Sequence, residues 1–401
     1  LDVNSRRRLG AALGLMLLLT AVLLVYGRSG DRPVSPLPTI TPEPLVPTRT
    51  PSALSEVSGQ VVVTETAVPS PTPVLTSEAR PTQGVVPVTA VAPILPASDL
   101  ARFGVTGGQM SAAQARQAGL PYGSLLSWNI SPAPEGGPAE FWQLVRLNED
   151  GIRRTTWADI EQTIAANPGS FWIVGNEPDV KWQDNVTPER YAEHYHELYN
   201  FIKSRDPEAN LVIGGVSQPT PLRRAYLDRV LDTYETLYGE PLPVDVWNVH
   251  AFVLREEAGS WGVDIPPGME VEEGALYELA DHDNLDILQQ NLFDFRAWMA
   301  ERGYGDRPLV VSEYGILMPE DYGFPLERVG AFLTGTFDIF RTIANETGYA
   351  ADDGRLVQWW FWYSVYDGEL YPTGNLWDSE RQELTPLGNI WMDYVNAIAP
   401  S

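Results

Sequence analysis

Apolar and polar positions are distributed in three different ways along this chain. From Leu9 to Tyr26 (LGAALGLMLLLTAVLLVY) the positions are largely apolar and none is charged, directly after Arg6-Arg7-Arg8. These eighteen residues would span roughly 27 Å as a helix, enough to cross a bilayer core. Gly27-Arg28-Ser29 is a poor cleavage site, so residues 1–29 read as an uncleaved signal anchor, with a cleavable signal peptide as the rival. The basic triplet then stays in the cytoplasm, and the chain beyond Gly27 faces outward from the cell membrane. Residues 30–100 lose the pattern. Fourteen of the 70 residues from Asp31 to Leu100 are Pro, interleaved with Thr, Ser and Val, and none is Trp, Tyr or Phe. Such a stretch cannot bury enough apolar surface to offset its ordering entropy, so a disordered, extended stalk is expected.

Residues 101–401 show the third pattern. Near-continuous apolar runs occupy 102–108, 122–130, 140–147, 170–178, 210–218, 244–253, 307–316 and 356–365. They read as strands of a parallel sheet covered on both faces. Helical patterns lie between most of them, clearest at 187–204, 222–238, 284–302 and 325–344, with a shorter one near 157–166 ended by Asn167-Pro168-Gly169. Thr187-Pro188 reads as an N-cap followed by the proline favoured at the first helical position. Eight strands alternating with helices over about 300 residues predict an α/β fold, the (β/α)8 or TIM barrel. No G-x-G-x-x-G follows the first strand and no phosphate loop is present, so the nucleotide-binding open sheets lack support.

Charge narrows the partners. The chain carries 27 Lys+Arg against 53 Asp+Glu, a net −26, with four His and no Cys. Residues 1–100 hold seven of each sign, so 101–401 holds 20 basic and 46 acidic residues and the whole imbalance. A domain this acidic repels phosphate backbones and anionic lipid surfaces, which argues against nucleic acid as a partner and leaves the N-terminal helix as the only membrane contact. The missing cysteines exclude disulfides, thiolate zinc sites and cysteine nucleophiles. His194 and His196 stand at i and i+2 on a helix, on different faces, and do not make a metal pair. Neither a metal nor another cofactor is expected, and the barrel is expected to be monomeric.

In such a barrel the chemistry sits at the C-terminal ends of the strands. There the fourth strand ends in Asn176-Glu177-Pro178-Asp179 and the seventh in Ser312-Glu313-Tyr314, while His250 lies on the sixth and Trp360 and Trp362 on the eighth. Two carboxylates facing each other across a barrel suit cleavage of a glycosidic bond. One protonates the leaving oxygen, the other attacks the anomeric carbon, and a separation of ~5–5.5 Å gives retention. The connection from about Leu254 to Asp283 is too long for an ordinary loop and reads as a rim or a solvated excursion. Trp182, shortly after Glu177, is a candidate platform for a sugar ring.

Gly175-Asn176-Glu177-Pro178 and Val311-Ser312-Glu313-Tyr314-Gly315, with the Trp-rich eighth strand, resemble the clan of retaining (β/α)8 glycosidases that includes the family 5 cellulases and mannanases and the family 39 xylosidases. Asn176-Glu177-Pro178-Asp179 is also similar to the acid/base motif of the short-barrel β-1,3-glucanases. The resemblance implies a retaining hydrolase of a β-linked poly- or oligosaccharide, with Glu177 as acid/base and Glu313 as nucleophile. It further implies Asn176 on the sugar 2-hydroxyl, His250 lining the cleft and Trp362 as a stacking floor. It implies unequal acidities too, with Glu313 ionised and Glu177 raised. Two features of the clan are missing: a Tyr near strand six that holds the nucleophile, for which Tyr314 or Tyr363 could substitute, and an Arg on strand two, for which Arg146 could. The competing readings are a non-catalytic carbohydrate-binding or cell-surface protein on the same fold, and a transglycosylase using the same residues.

Overall fold

The eight apolar runs become eight parallel strands in the computed structural model, which describes residues 92–368 and 370–398. They are β1 (Phe103–Thr106), β2 (Ser124–Leu126), β3 (Glu140–Val145), β4 (Phe171–Asn176), β5 (Asn210–Gly215), β6 (Trp247–His250), β7 (Leu309–Tyr314) and β8 (Trp359–Trp362). Their hydrogen-bonded order is β5-β4-β3-β2-β1-β8-β7-β6. Two parallel bridges, Val212↔Val246 and Val216↔Val249, bring β5 to β6, and the sheet wraps into a barrel.

Seven helices among the described residues clothe it: α1 (Gln109–Gln117), α2 (Trp157–Ala166), α3 (Pro188–Arg205), α4 (Pro221–Tyr238), α5 (Leu285–Glu301), α6 (Leu326–Thr342) and α7 (Pro386–Ile398). The β2–β3 connection carries none. Its stretch Ser131-Pro132-Ala133-Pro134-Glu135-Gly136-Gly137-Pro138 denies a helix the amide donors and backbone bias it needs. Thr187 does precede α3, but it does not cap it; its hydroxyl donates instead to Glu149 Oε1 at 2.8 Å. His194, for which the sequence favoured a surface position, is buried, with its Nε2 3.2 Å from the Glu149 carbonyl.

Alternation along the strands builds two apolar layers. Leu126, Trp142, Leu144, Ile173, Val212, Val246, Val310, Trp359 and Phe361 fill the barrel, while Phe103, Val105, Trp172, Ile213, Trp247, Val311, Trp360 and Trp362 face the helices. Trp142 stacks on Phe171 with centroids 4.1 Å apart. Beneath them the buried Glu140 accepts from Trp359 Nε1 at 2.8 Å and from the Ala97 amide at 2.8 Å, and burial raises its pKa. Ile94 packs against the interior cluster. The compact unit therefore takes in residues upstream of 101, Ile94 and Ala97 among them. The expected anchor (1–29) and nearly all of the expected stalk lie outside the described residues. Among those described, no helix is long and apolar enough to cross a membrane.

The connection after β6 is a packed rim. Phe252, Leu254 and Val263 cluster with Val180, and Asp264 pairs with Lys181. The fully buried Arg223 donates to the Val263 and Asp264 carbonyls.

Candidate active site

The turn after β4 is built around Gly175 and Glu177. Gly175 has φ +85°, and a Cβ there would meet Leu147 Cδ1 at 3.2 Å and Tyr191 Cε2 at 3.3 Å. Glu177 itself is left-handed at φ +44°, a conformation that costs an L-residue roughly 1–2 kcal/mol. The surroundings hold it there. The Glu177 amide donates to the Gly215 carbonyl at 3.0 Å. Two residues on, the fully buried Asp179 accepts from the Ser217 hydroxyl at 2.7 Å and pairs with Arg223 Nε at 3.1 Å. The Asn176 amide N–H donates to Asp184 Oδ2 at 2.8 Å, and its side-chain amide has no hydrogen-bond partner among the described residues.

Glu313 reaches the same place through an irregularity. Pairing of β8 with β7 runs Trp360↔Val311 and then Trp362↔Tyr314, so one extra residue of β7 is accommodated between them. Such a bulge re-aims a side chain. The β6–β7 register also shifts between Val249 and His250, which pairs with Glu313. His250 Nδ1 lies 2.9 Å from Glu177 Oε1 and 3.8 Å from Glu313 Oε2. One oxygen of each carboxylate and a ring nitrogen of His250 all lie within 4.8 Å of one another. The three side chains are nearly enclosed: Glu177 is 8 % exposed, Glu313 5 % and His250 1 %.

A residue the sequence reasoning missed completes the group. Trp128, just beyond β2 and left-handed at φ +53°, donates its indole N–H to Glu313 Oε1 at 2.5 Å. It supplies from strand two the donor that an Arg was expected to supply. Arg146 does not replace that Arg, because its Nε is 2.6 Å from Asp184 Oδ1 and it only contributes a nearby positive charge to Glu313. Tyr363 packs beside Trp128 at 5.6 Å and gives its hydroxyl to Asp367. Tyr371 lies 5.8 Å from Tyr363. Burial, with the charges of Glu177, Asp367 and Glu313, pushes its hydroxyl up to about 12.

Two expected site residues face the other way. Trp362 and Tyr314 are register partners and both point to the helices, with rings 5.3 Å apart and edge-on. Each is fully buried; Trp362 gives its N–H to the Gly374 carbonyl and Tyr314 packs on Phe340. Neither a stacking floor from Trp362 nor a nucleophile-holding hydroxyl from Tyr314 is available. Trp182 is 56 % exposed, with Lys181 Nζ 4.4 Å from its ring, and remains free to meet a ligand.

Burial lifts the Glu313 carboxyl to about 7, with His250 opposing and the Glu177 charge reinforcing the rise. The upward shift was expected on Glu177. The resolved rise falls on Glu313 instead, and its first cause is burial. Burial lowers the His250 pKa, but the charges of Glu313 and Glu177 and the hydrogen bond to Glu177 outweigh it and the net shift is upward. Glu177, His250 and Glu313 are also the residues that could gather a cation, although Nδ1 and Glu313 Oε1 are already hydrogen-bonded.

No family model matches the chain, and no curated protein matches it in sequence. Solved structures do match in fold. A GH128 (subgroup II) endo-β-1,3-glucanase from Pseudomonas viridiflava is 17% identical, over 73% of this chain and 96% of its own, with a TM-score of 0.50. A GH128 (subgroup III) curdlan-specific exo-β-1,3-glucanase from Blastomyces gilchristii is 20% identical over 73% and 98%, at 0.49. A GH128 (subgroup VII) oligosaccharide-binding protein from Cryptococcus neoformans is 14% identical over 77% and 100%, at 0.47.

Proposed function

We propose that this protein is a retaining glycoside hydrolase of β-linked glycans, with Glu177 as acid/base and Glu313 as nucleophile. One observation carries the reading. Two enclosed carboxylates, from strands on opposite sides of the barrel, offer oxygens within 4.8 Å of each other at its C-terminal mouth. That spacing leaves no room for a water between them and the sugar, as inversion would need, and suits direct attack.

The residues divide the work. Trp128 engages Glu313 Oε1, leaving Oε2 for the anomeric carbon. As the C–O bond to the leaving sugar breaks and the bond to Oε2 forms, Glu177 gives its proton to the departing oxygen. His250, hydrogen-bonded to Glu177, stabilises the negative charge left there. In the second step Glu177 takes a proton from water, the water oxygen attacks the anomeric carbon, and Glu313 leaves as a carboxylate. Asn176, with its side-chain amide unspent, is placed to meet the 2-hydroxyl. On the same reading, residues 1–100 tether the barrel outside the cell.

The Pseudomonas viridiflava protein, an endo-β-1,3-glucanase, makes β-1,3-glucan the first substrate to try. Reducing-end release would be measured on β-1,3-glucan, mannan, xylan and galactan for the parent, Glu177→Ala and Glu313→Ala. The reading expects hydrolysis of at least one glycan by the parent and a loss of about a thousandfold or more in both variants. Full activity in either variant removes that glutamate from its role. A folded parent that binds a glycan and cuts none places the chain among binding proteins.

A further inference from the structure

Beside the paired glutamates, at the β3 side of the barrel mouth, is a cavity of about 350 Å³. Trp128 joins the two sites, with its N–H on Glu313 and its ring in the cavity wall. The wall also carries Arg146, Arg153 and Arg154, with Thr155 and Gln162. Three arginines around one cavity run against the composition, since acids outnumber bases 46 to 20 in residues 101–401.

The chain assembles them locally. A two-residue hairpin, Leu147–Asn148 against Gly151–Ile152, folds the strand back so that the Arg153 amide donates to the Arg146 carbonyl at 2.9 Å. Arg146 is committed to Asp184 at 2.6 Å and Gln183 at 2.9 Å. Arg153 reaches the same Asp184 oxygen only at 3.6 Å, and its buried Nε has no hydrogen-bond partner among the described residues. Arg154 is exposed, left-handed at φ +65°, and makes no ion pair among the described residues. The buried Thr155 hydroxyl makes no well-formed hydrogen bond among them and lies near Asp159. Asp159, the one acid in the wall, is occupied by the Thr156 amide and hydroxyl in the capping box of α2. Burial and the neighbouring Arg146 hold Arg153 below its ordinary pKa, as expected of crowded cations short of an anion.

We propose that this cavity is a subsite for a negatively charged sugar unit of the glycan, its carboxylate or sulfate ester oxygens received by Arg153, Arg154 and the Thr155 hydroxyl. A planar guanidinium matches such oxygens in geometry as well as charge. The net charge of the barrel would repel a polyanion at long range, but that field is screened beyond ~8 Å at physiological salt, whereas contacts inside a cavity are screened much less. The position beside the scissile bond rests on the hydrolase reading; the binding preference does not.

The test is titration calorimetry on the full chain carrying Glu177→Gln, which removes turnover. The probes are laminaripentaose, a β-linked oligoglucuronate of equal length, and sulfated laminaripentaose. At least one anionic probe is expected to bind about tenfold or more tightly than the neutral one, the worth of a hydrogen bond to a charged group. Preference for the uronate alone identifies a carboxylate, and for the sulfated probe alone a sulfate ester. Adding Arg154→Ala should cut the preference to below about threefold. Arg381→Ala, at an arginine 75% exposed outside the cavity, should leave it intact. Anionic probes bound no better than laminaripentaose, or not at all, overturn the proposal, as does a preference that survives Arg154→Ala. If the parent cleaves neither these probes nor any of the four glycans named above while the preference holds, the hydrolase reading fails and the subsite stands.

Discussion

Glu313 presents two unlike oxygens, one accepting from Trp128 at 2.5 Å and one 3.8 Å from His250 Nδ1. The indole N–H lowers the Glu313 pKa against the burial that raises it. Trp128→Phe keeps an aromatic wall and deletes the donor. A hydrogen bond to a charged group is worth about 1.5–3 kcal/mol, so kcat should fall by roughly 10–100-fold with KM little changed. The pH limb set by Glu313 ionisation should move upward. A rate and pH profile equal to the parent's would deny Trp128 its part in holding the carboxylate. Trp128 escaped the sequence reading because it sits inside an apolar run, Tyr122 to Ile130, where any aromatic passes as strand filling. The usable signal was its position just past the end of β2, the class of position that revealed Glu177, His250 and Glu313.

Strand register explains what was legible and what was not. Eight apolar runs and most of the helices could be read from periodicity, because burial on both faces or on one stripe leaves that mark. The facing of single residues could not. Trp359 and Phe361 fill the barrel while Trp360 and Trp362 face the helices, and nothing in the run Trp359-Trp360-Phe361-Trp362 distinguishes the two sets. The bulge in β7 then separates Glu313 from Tyr314, and a bulge leaves no pattern in one sequence. The helix missing after β2 was not foreseen, although residues 131–138 hold its cause in their prolines and glycines. Close strand packing has its own test. A Cβ on Gly215 would stand 2.6 Å from His250 Cδ2 and 2.8 Å from its Nε2. Gly215→Ala must displace an imidazole that is fully enclosed, and overpacking of this kind costs about 1–3 kcal/mol. Chemical denaturation should show that loss together with a fall in kcat; a destabilised but fully active variant would mean that the placement of His250 does not matter.

Across the whole molecule the site is held at the expense of stability at neutral pH. Glu313 rises from 4.5 to about 7 on folding, so between those values the folded state binds the extra proton and stability falls as pH rises. His250, raised above 6.5, slopes the same way, its contribution present at lower pH and lost as pH climbs through its folded value. Unfolding free energy should therefore decline from pH 4.5 to 7, and Glu313→Gln, which has no charge to bury, should be more stable than the parent at pH 8. A variant no more stable than the parent there would mean that the buried charge is already well compensated. The acidic surface contributes a salt-screened self-repulsion that Glu313→Gln leaves in place, so comparing the two proteins at one ionic strength isolates the site.

The claim that Glu177 and Glu313 act by double displacement is tested most directly by trapping. A 2-deoxy-2-fluoro-β-glycoside of the sugar that the parent hydrolyses slows release of the glycosyl intermediate. Intact mass after incubation should rise by one fluorosugar, and peptide mapping should place it on Glu313, with faster release when a glycosyl acceptor is added. A label on any other residue, or turnover of the parent substrate with inversion at the anomeric carbon and no label, would contradict the account.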